Sequence, residues 1–106
     1  MKLWIDDVRT PPEGYVWAKS VLKAQWYIMN YEATYRATAD KKYKIALIDI
    51  DHDAGDYASE GGDYIKLLDW LEETGRNYPI RIHSQNIVGV QNMRRIIQKN
   101  GWKEVF

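Results

Sequence analysis

The chain has 106 residues, 45% of them apolar and 28% charged, which gives room for one globular domain with an ordinary core. Fifteen basic residues balance fifteen acidic ones, so any nucleic-acid binding would have to be local. The absence of cysteine excludes disulfides and thiolate zinc sites. The sequence shows neither the apolar core of a signal peptide nor the roughly 18 consecutive apolar residues of a membrane span. We therefore expect a single cytoplasmic domain over residues 1–106, without membrane contact or DNA-specific binding and with no indication of its oligomeric state.

Aromatic residues are frequent, at 13% of the chain, and include five Trp and eight Tyr. Such side chains can serve as stacking platforms for nucleic-acid bases. The sequence places no basic stripe beside them, so packing in the core and at its rim is the favoured interpretation.

The first half of the chain is predicted to form two strands, a loop and a helix. The apolar segments Lys2–Ile5 and Tyr15–Ala18 are strand-like, and residues 10–14 between them form a Pro-rich loop. A helix is expected from the cap Ser20 to about Glu32, followed by a frayed end and a surface loop. The expected buried stripe of this helix is Leu22, Trp26, Met29 and Ala33.

The next part of the chain is predicted to form a strand, a flexible loop and a helix. Residues 45–50 are apolar and β-branched, as in a buried parallel strand. Asp63 is expected to cap the helix, and Gly75 is expected to end it. The buried positions of this helix lie at helical spacing: Tyr64, Leu67, Leu68 and Leu71.

The last part of the chain is predicted to form a strand, a helix and a short final strand. Residues 79–82 are the strand, and the helix begins at Ser84 or Asn86 and stops at Asn100-Gly101. The final strand covers residues 102–106. The buried stripe of the helix includes Val90, Met93 and Ile97.

The alternation of strands and helices predicts a mostly parallel sheet with right-handed crossovers. We expect a small flavodoxin-like or receiver-like α/β fold, a three-layer sandwich with five strands in the order 2-1-3-4-5. The first helix of that fold is expected to be replaced by the Pro-rich loop.

Ionisable and polar side chains follow three of the strands where each strand ends. They are Asp6 and Asp7, then Asp51, His52 and Asp53, and then His83 and Ser84. In the predicted sheet these strands are neighbours, and their carboxyl ends share one rim. Both histidines of the chain fall on this rim, which makes it the expected place of chemistry.

The acidic residues on the rim require a compensating charge. Two carboxylates about 5 Å apart repel by roughly 3 kcal/mol at an effective dielectric constant of about 20. An oxygen-rich site of this kind suits Mg²⁺ or Mn²⁺, and a nearby histidine favours Mn²⁺. Arg9 is the alternative, as an internal counter-ion.

The facing edge of the rim has the opposite character. Ser84, Asn86 and the amides near Gly89 would lie at a helix N-terminus, which attracts phosphate through free N–H groups. Gly89 would allow close approach of a ligand. An acidic or metal pole beside an anion-binding pole is typical of a phosphate-handling site.

Each of these features also has a purely structural interpretation. The two aspartate groups could be turns with side chains bonded to the backbone, and Ser84 and Asn86 could be plain helix caps. His83 could be a hydrogen-bonded core histidine. Asp49, within the third strand, could face the rim or pair with Arg81 or a lysine.

Three motifs together resemble one known family. They are Asp6-Asp7-Val8-Arg9, then Asp51-His52-Asp53-Ala54-Gly55, followed by Gly62-Asp63, and finally His83-Ser84-Gln85-Asn86-Ile87-Val88-Gly89. In this combination the chain is similar, over nearly its whole length, to the receiver-like family named for cyclic-phosphate processing. It departs from that pattern at Ala54, where leucine is common, and at Ile87, where proline is common, and neither change removes a chemical group.

The resemblance implies the processing of cyclic phosphate ends or nucleotides, in RNA repair or phage conflict, and our leading hypothesis is a phosphoesterase that opens a cyclic phosphodiester. Its ligand would be a cyclic-phosphate nucleotide or an RNA end. The expected divalent-metal ligands are Asp6, Asp7, Asp51 and Asp53. The expected catalytic residues are His52 and His83, one of them as general acid, with Asp51. The expected phosphate-binding residues are Arg9, Ser84, Asn86 and Gly89.

Two alternatives remain from the same residues. The domain could be a non-enzymatic phosphoacceptor of the signalling-receiver type, with Asp51 as acceptor and Lys103 as the lysine that follows the last strand. It could also be a regulatory module that senses a nucleotide. A metal-free variant of the enzyme would use His52 and His83 as an acid–base pair.

Overall fold

Five parallel strands form one sheet in the computed structural model, which describes all 106 residues. The strands are β1 (Lys2–Ile5), β2 (Tyr15–Ala18), β3 (Leu47–Ile50), β4 (Ile80–Ile82) and β5 (Glu104–Val105). Their order is β2-β1-β3-β4-β5, and every neighbouring pair is parallel. The expected order 2-1-3-4-5 is confirmed, and the sheet is entirely parallel.

Three α-helices connect the strands after β2. They are α1 (Val21–Thr38), α2 (Ile65–Glu73) and α3 (Ile87–Asn100), and two short 3₁₀ helices cover Lys41–Tyr43 and Gly55–Ser59. None of the helices combines the length and the apolarity needed to cross a lipid bilayer.

The three helices pack on one face of the sheet. The crossovers from β2 to β3, β3 to β4 and β4 to β5 all run in the same direction, so right-handed connections place α1, α2 and α3 together. The connection from β1 to β2 runs the other way and contains no helix, as expected. The loop between β1 and β2 thus stands in place of the first helix of the receiver-like fold.

The main core lies between the sheet and the helices. Because side chains alternate along a strand, Leu3 and Ile5 of β1 point to the same face as Ile48 and Ile50 of β3. They are fully buried with these residues of β4, α2 and α3: Ile80, Leu67, Leu68, Leu71, Met93 and Ile97. The predicted buried positions of α2 are confirmed, and in α3 Gly89 is buried where Val90 was expected.

Helix α1 presents a different side to the core from the one expected. Leu22, Trp26 and Met29 are 55%, 50% and 46% exposed, whereas the buried residues of α1 are Val21, Ala24 and Ile28. Ala33 is exposed as well. The predicted stripe was wrong because apolar residues lie on several sides of α1, and the smaller stripe allows closer packing.

The helix caps were predicted with mixed success. The Ser20 hydroxyl accepts the Lys23 N–H and caps α1, which continues beyond Glu32 to Thr38. Asp63 does not cap α2, since its Oδ1 accepts the Ala54 N–H at 3.0 Å and fixes the loop after β3. At the end of α3, Gly101 takes the left-handed conformation with φ +67°, as predicted.

Candidate functional site at the carboxyl edge of the sheet

The ends of β1, β3 and β4 converge through backbone hydrogen bonds that extend the sheet. The Asp51 N–H donates to the Ile5 carbonyl at 2.9 Å, and the His83 N–H donates to the Ile50 carbonyl at 2.9 Å. Asp6, Asp51 and His83 are thus held side by side, because each directly follows a strand of the same parallel sheet.

Three carboxylates form the acidic cluster of the site: Asp6, Asp7 and Asp51. Each offers one oxygen, and the three oxygens lie within 4.8 Å of one another. Asp6 is fully buried and Asp51 is 9% exposed. Oxygen donors at this spacing fit a divalent ion such as Mg²⁺ or Mn²⁺, and Asp53 lies outside the cluster.

Arg9 provides a positive charge at the acidic cluster. Its Nε lies 3.4 Å from Asp6 Oδ2, and its Nη2 lies 3.7 Å from Asp51 Oδ2 and donates to the His83 carbonyl at 3.2 Å. The side chain is 47% exposed, so Arg9 is an internal counter-ion that can swing away from the cluster. A divalent ion would compete with it for the same oxygens.

Asp6 and Asp7 have opposite electrostatic environments. Burial raises the pKa of Asp6, but hydrogen bonds from the backbone N–H groups of Arg9 and Val8 and from His83 outweigh it, and the net pKa is lowered. Burial raises the pKa of Asp7, and the charges of Asp6 and Asp51 raise it further. The charge of Asp7 is therefore less well compensated than that of Asp6.

His83 is locked between two buried carboxylates. Its Nδ1 lies 2.6 Å from Asp49 Oδ1, and its Nε2 lies 2.9 Å from Asp6 Oδ2. Both ring nitrogens are thus engaged by buried carboxylate oxygens. The ring stacks on the Trp4 indole with centroids 3.8 Å apart, and Arg81 also pairs with Asp49 at 3.1 Å. With both nitrogens engaged and the side chain 7% exposed, His83 has no ring nitrogen free for a substrate.

His52 has the free ring nitrogen that His83 lacks. Its Nδ1 lies 2.8 Å from Asp53 Oδ1, and this hydrogen bond lowers the pKa of Asp53. No hydrogen bond engages Nε2, and every buried side-chain nitrogen and oxygen of the protein has a partner, so Nε2 is open to solvent. A histidine oriented through one nitrogen by a carboxylate, with the other nitrogen free, is the usual arrangement for proton transfer.

The start of α3 supports His52 rather than forming a simple anion pocket. Asn86 caps the helix, because its Oδ1 accepts the Gly89 N–H at 2.9 Å and its Nδ2 donates to both oxygens of Asp53 at 3.3 Å. The Ser84 hydroxyl accepts the Asn86 N–H at 3.2 Å. The N–H of Gly89 is therefore not free for an anion. The absence of a side chain at Gly89 leaves room for the His52 ring.

Comparison with protein families agrees with this geometry. A model described as the cyclic-phosphate processing receiver domain matches residues 1–99. The chain belongs to this family. Neither the curated proteins nor the solved structures gave a match. The receiver-like fold that the sequence resemblance implied is therefore confirmed.

This cyclic-phosphate processing receiver domain differs from the expected signalling pattern at Lys103. The Lys103 carbonyl accepts the Ile80 N–H at 2.9 Å, at the amino end of β4. Because β4 and β5 are parallel, Lys103 lies at the opposite edge of the sheet from Asp51. The expectation that Lys103 completes a phosphoacceptor site was wrong.

Two residues of the site carried little sequence signal. The sequence identifies Trp4 only as a strand residue and leaves the partner of Asp49 open, yet both residues are buried and hold His83. In the sheet register Trp4 pairs with Asp49, and Asp49 pairs with Arg81. Side-chain alternation places all three on the face without helices, which is the signal that could have found them.

The largest cavity of the receiver domain is not at this site. It has a volume of about 590 Å³ and lies at the amino ends of the strands, lined in part by Met1, Glu32 and Tyr78. The residues of the acidic cluster and the two histidines lie at the other edge of the sheet. The candidate site is instead open, with Asp53 61% exposed.

Proposed function

We propose that this receiver domain is a phosphoesterase that hydrolyses cyclic phosphodiesters at an RNA end or in a nucleotide. The observation that carries the proposal is the free Nε2 of His52, a residue oriented through Asp53 that directly follows Asp51 of the acidic cluster. Proton transfer and charge neutralisation are the two requirements for opening a cyclic phosphate, and both are supplied by residues of one edge.

The acidic cluster would hold the divalent ion. Asp7 and Asp51 have the more available oxygens, because the oxygens of Asp6 already receive the N–H groups of Val8, Arg9 and His83. A divalent ion bound there would activate water and neutralise phosphate charge. Displacement of Arg9 from Asp6 and Asp51 would then free its guanidinium for a phosphate oxygen.

The start of α3 would bind the other phosphate oxygens. The N–H groups of Ile87 and Val88, in the first turn, have no hydrogen-bond partner. The Ser84 hydroxyl accepts one hydrogen bond and keeps its own proton to donate. These donors lie on the same helix end as Asn86 and Gly89, which position His52.

His52 would act as general acid. As water attacks phosphorus, the bond from phosphorus to one ribose oxygen breaks, and Nε2 would donate its proton to that oxygen. The product is a nucleoside 2′- or 3′-monophosphate end. His83 is then a positioning residue that holds Asp6. A metal-free mechanism with His52 and His83 as an acid–base pair loses support, because both ring nitrogens of His83 are engaged.

Turnover of 2′,3′-cyclic nucleotides with Mg²⁺ or Mn²⁺, and its loss in chelator, tests this function. We expect Asp7→Asn to lose metal-dependent turnover by about 100-fold and Lys42→Ala, at the opposite edge, to retain it. Absence of turnover by the folded protein with either metal contradicts an enzymatic role. Tight binding of the nucleotide without turnover would favour a nucleotide sensor.

A second function is favoured by the position of Asp51. It directly follows β3 and lies within 4.8 Å of Asp6 and Asp7, as in receiver phosphoacceptors. Against it, Asp51 Oδ1 already accepts the His52 N–H at 2.7 Å, and Lys103 is at the wrong edge. Incubation with acetyl phosphate and intact mass measurement separates the two: a labile gain of one phosphoryl group that Asp51→Asn abolishes supports phosphoacceptance.

The cellular context belongs to the same proposal. A role in RNA repair or in phage conflict, in the cytoplasm, is what the resemblance implies for an enzyme acting on cyclic phosphate ends. Accumulation of cyclic-ended RNA in cells that lack the domain would support that role.

A further inference from the structure

A second cleft lies beside the acidic cluster, at the carboxyl end of the edge strand β2. Its volume is about 270 Å³. It is lined by Trp17, Lys19, Ser20, Lys23, Tyr57 and Glu60. Two lysines and two aromatic rings against one carboxylate give this cleft a cationic and aromatic character, opposite to that of the acidic cluster.

Hydrogen bonds to the backbone of Asp6 connect the cleft with the acidic cluster. The Trp17 indole N–H donates to the Asp6 carbonyl at 2.8 Å, and the Asp6 N–H donates to the Ala18 carbonyl at 3.3 Å. The Tyr64 hydroxyl donates to the Lys19 carbonyl at 2.7 Å and so ties the cleft to the first turn of α2. The cleft therefore lies on the same edge of the sheet as the acidic cluster, next to the segment that carries Asp6.

The lysines of the cleft lie over aromatic faces. Lys19 Nζ lies 4.6 Å from the centroid of the Trp17 ring and 6.0 Å from that of Tyr57. Lys23 Nζ lies 4.3 Å from the centroid of the Trp26 ring, which is half exposed on α1. Since Lys23 also lines the cleft, the same surface continues along α1 beyond it.

We propose that this basic–aromatic band, formed by Trp17, Lys19, Tyr57, Lys23 and Trp26, binds the single-stranded RNA that precedes a cyclic phosphate end. The inference rests on the proposed function and names its substrate as an RNA strand rather than a mononucleotide. Alternating stacking faces and ammonium groups suit successive bases and phosphates, and stacking tolerates any base. The open shape of the catalytic edge, with Asp53 exposed, also fits a polymer end.

The band also explains two features that packing of the core leaves unexplained. Trp26 was expected in the core but is half exposed, and the balanced total charge conceals a local group of lysines. The contacts of Lys19 with Trp17 and of Lys23 with Trp26 are local in the sequence, whereas Tyr57 joins them only when the loop after β3 packs beside β2 and α1.

Binding of a fluorescent RNA hexamer with a 3′-hydroxyl end tests the band without any turnover. We expect the double variant Lys19→Glu, Lys23→Glu to weaken binding about 10-fold or more at low salt, and Trp26→Ala to weaken it about 5-fold or more. The matched control is Lys41→Glu, Lys42→Glu, the same charge change at the amino edge, which should change the dissociation constant less than about 2-fold. Circular dichroism verifies folding of all variants.

A second measurement separates this inference from the proposed function. The measurement compares kcat/KM for a hexamer with a cyclic phosphate end and for a 2′,3′-cyclic mononucleotide. We expect the wild type to have the higher kcat/KM for the hexamer, and we expect the double variant to reduce the ratio of the two values about 10-fold. If the protein shows no turnover but binds the hexamer through Lys19 and Lys23, the result supports RNA binding by the band and contradicts the proposed phosphoesterase activity. Three results would overturn the proposal that the band binds RNA. They are equal kcat/KM for the two substrates, equal weakening of binding by the control variant, and competition by polyglutamate as effective as that by RNA.

Discussion

The ring of His52 lies so close to Gly89 that a Cβ on residue 89 would come within 2.5 Å of His52 Cγ. Gly89 is buried in the first turn of α3, and its N–H is held by Asn86, which also donates to Asp53. The start of α3 therefore sets the position of the imidazole through contact on one side and through Asp53 on the other.

Replacement of Gly89 by Ala should lower turnover of a cyclic nucleotide by about 10- to 100-fold, because the new methyl group displaces His52. Helix propensity alone would stabilise α3 by about 1 kcal/mol on this change. The matched control is Gln91→Ala, at an exposed position of the same helix, which should leave turnover unchanged. A Gly89→Ala variant with full activity would show that His52 is not positioned by α3.

The opposite environments of Asp6 and Asp7 predict opposite effects of amide substitution on stability. The raised pKa of Asp7 means that the folded state holds its proton longer, so stability falls as pH rises from about 3.8 through the raised value. Asp7→Asn should therefore increase the free energy of unfolding at pH 7, on the order of 1 kcal/mol. Urea unfolding in chelator measures it.

Asp6 shows the reverse dependence. Its lowered pKa means that its contribution is present above about 3.8 and is lost as pH falls through the lowered value. Asp6→Asn should decrease the free energy of unfolding at pH 7 by about 3 kcal/mol and flatten its dependence on pH below 4. Equal effects of the two substitutions would refute the assignment of Asp7 as the less compensated carboxylate.

The acidic cluster should bind Mg²⁺ or Mn²⁺ and thereby raise the melting temperature. At a metal concentration 100 times the dissociation constant, the expected stabilisation is about 2.7 kcal/mol. Asp51→Asn should reduce the shift strongly, whereas Asp69→Asn, on exposed α2 surface, should retain it. A shift that persists in Asp51→Asn places the metal elsewhere.

The Asp6–His83–Asp49 arrangement should contribute to stability more than to proton transfer. Asp49→Ala removes one of the two buried carboxylates that hold the His83 ring and leaves Nδ1 without its partner, so it should cost about 3–5 kcal/mol. Arg81→Ala removes a half-exposed partner of the same carboxylate and should cost about 1 kcal/mol. Denaturant unfolding of both variants measures the difference, and a larger cost for Arg81→Ala would contradict it.

Strand order and the meeting of Asp6, Asp51 and His83 could be predicted from the sequence. Both follow from the alternation of elements and from the rule that parallel strands end at one edge. The side of α1 that faces the core could not be predicted from the sequence. Leu22 and Val21 begin two equally plausible apolar stripes, and only packing decides between them.

The different environments of the two histidines also could not be predicted from the sequence. His52 and His83 each follow a strand and look equivalent in the sequence. Their difference arises from residues distant along the chain: Trp4 and Asp49 enclose His83, whereas His52 packs against Gly89 and keeps Nε2 without a partner.

The most direct test of the catalytic role of His52 is ³¹P NMR of a 2′,3′-cyclic nucleotide incubated with Mg²⁺ or Mn²⁺ and the protein. With wild type, the cyclic phosphate signal should be replaced by that of a monophosphate ester, and folded His52→Ala should slow this conversion by about 100-fold or more. Conversion by His52→Ala at the wild-type rate, or no conversion by wild type, would contradict the account.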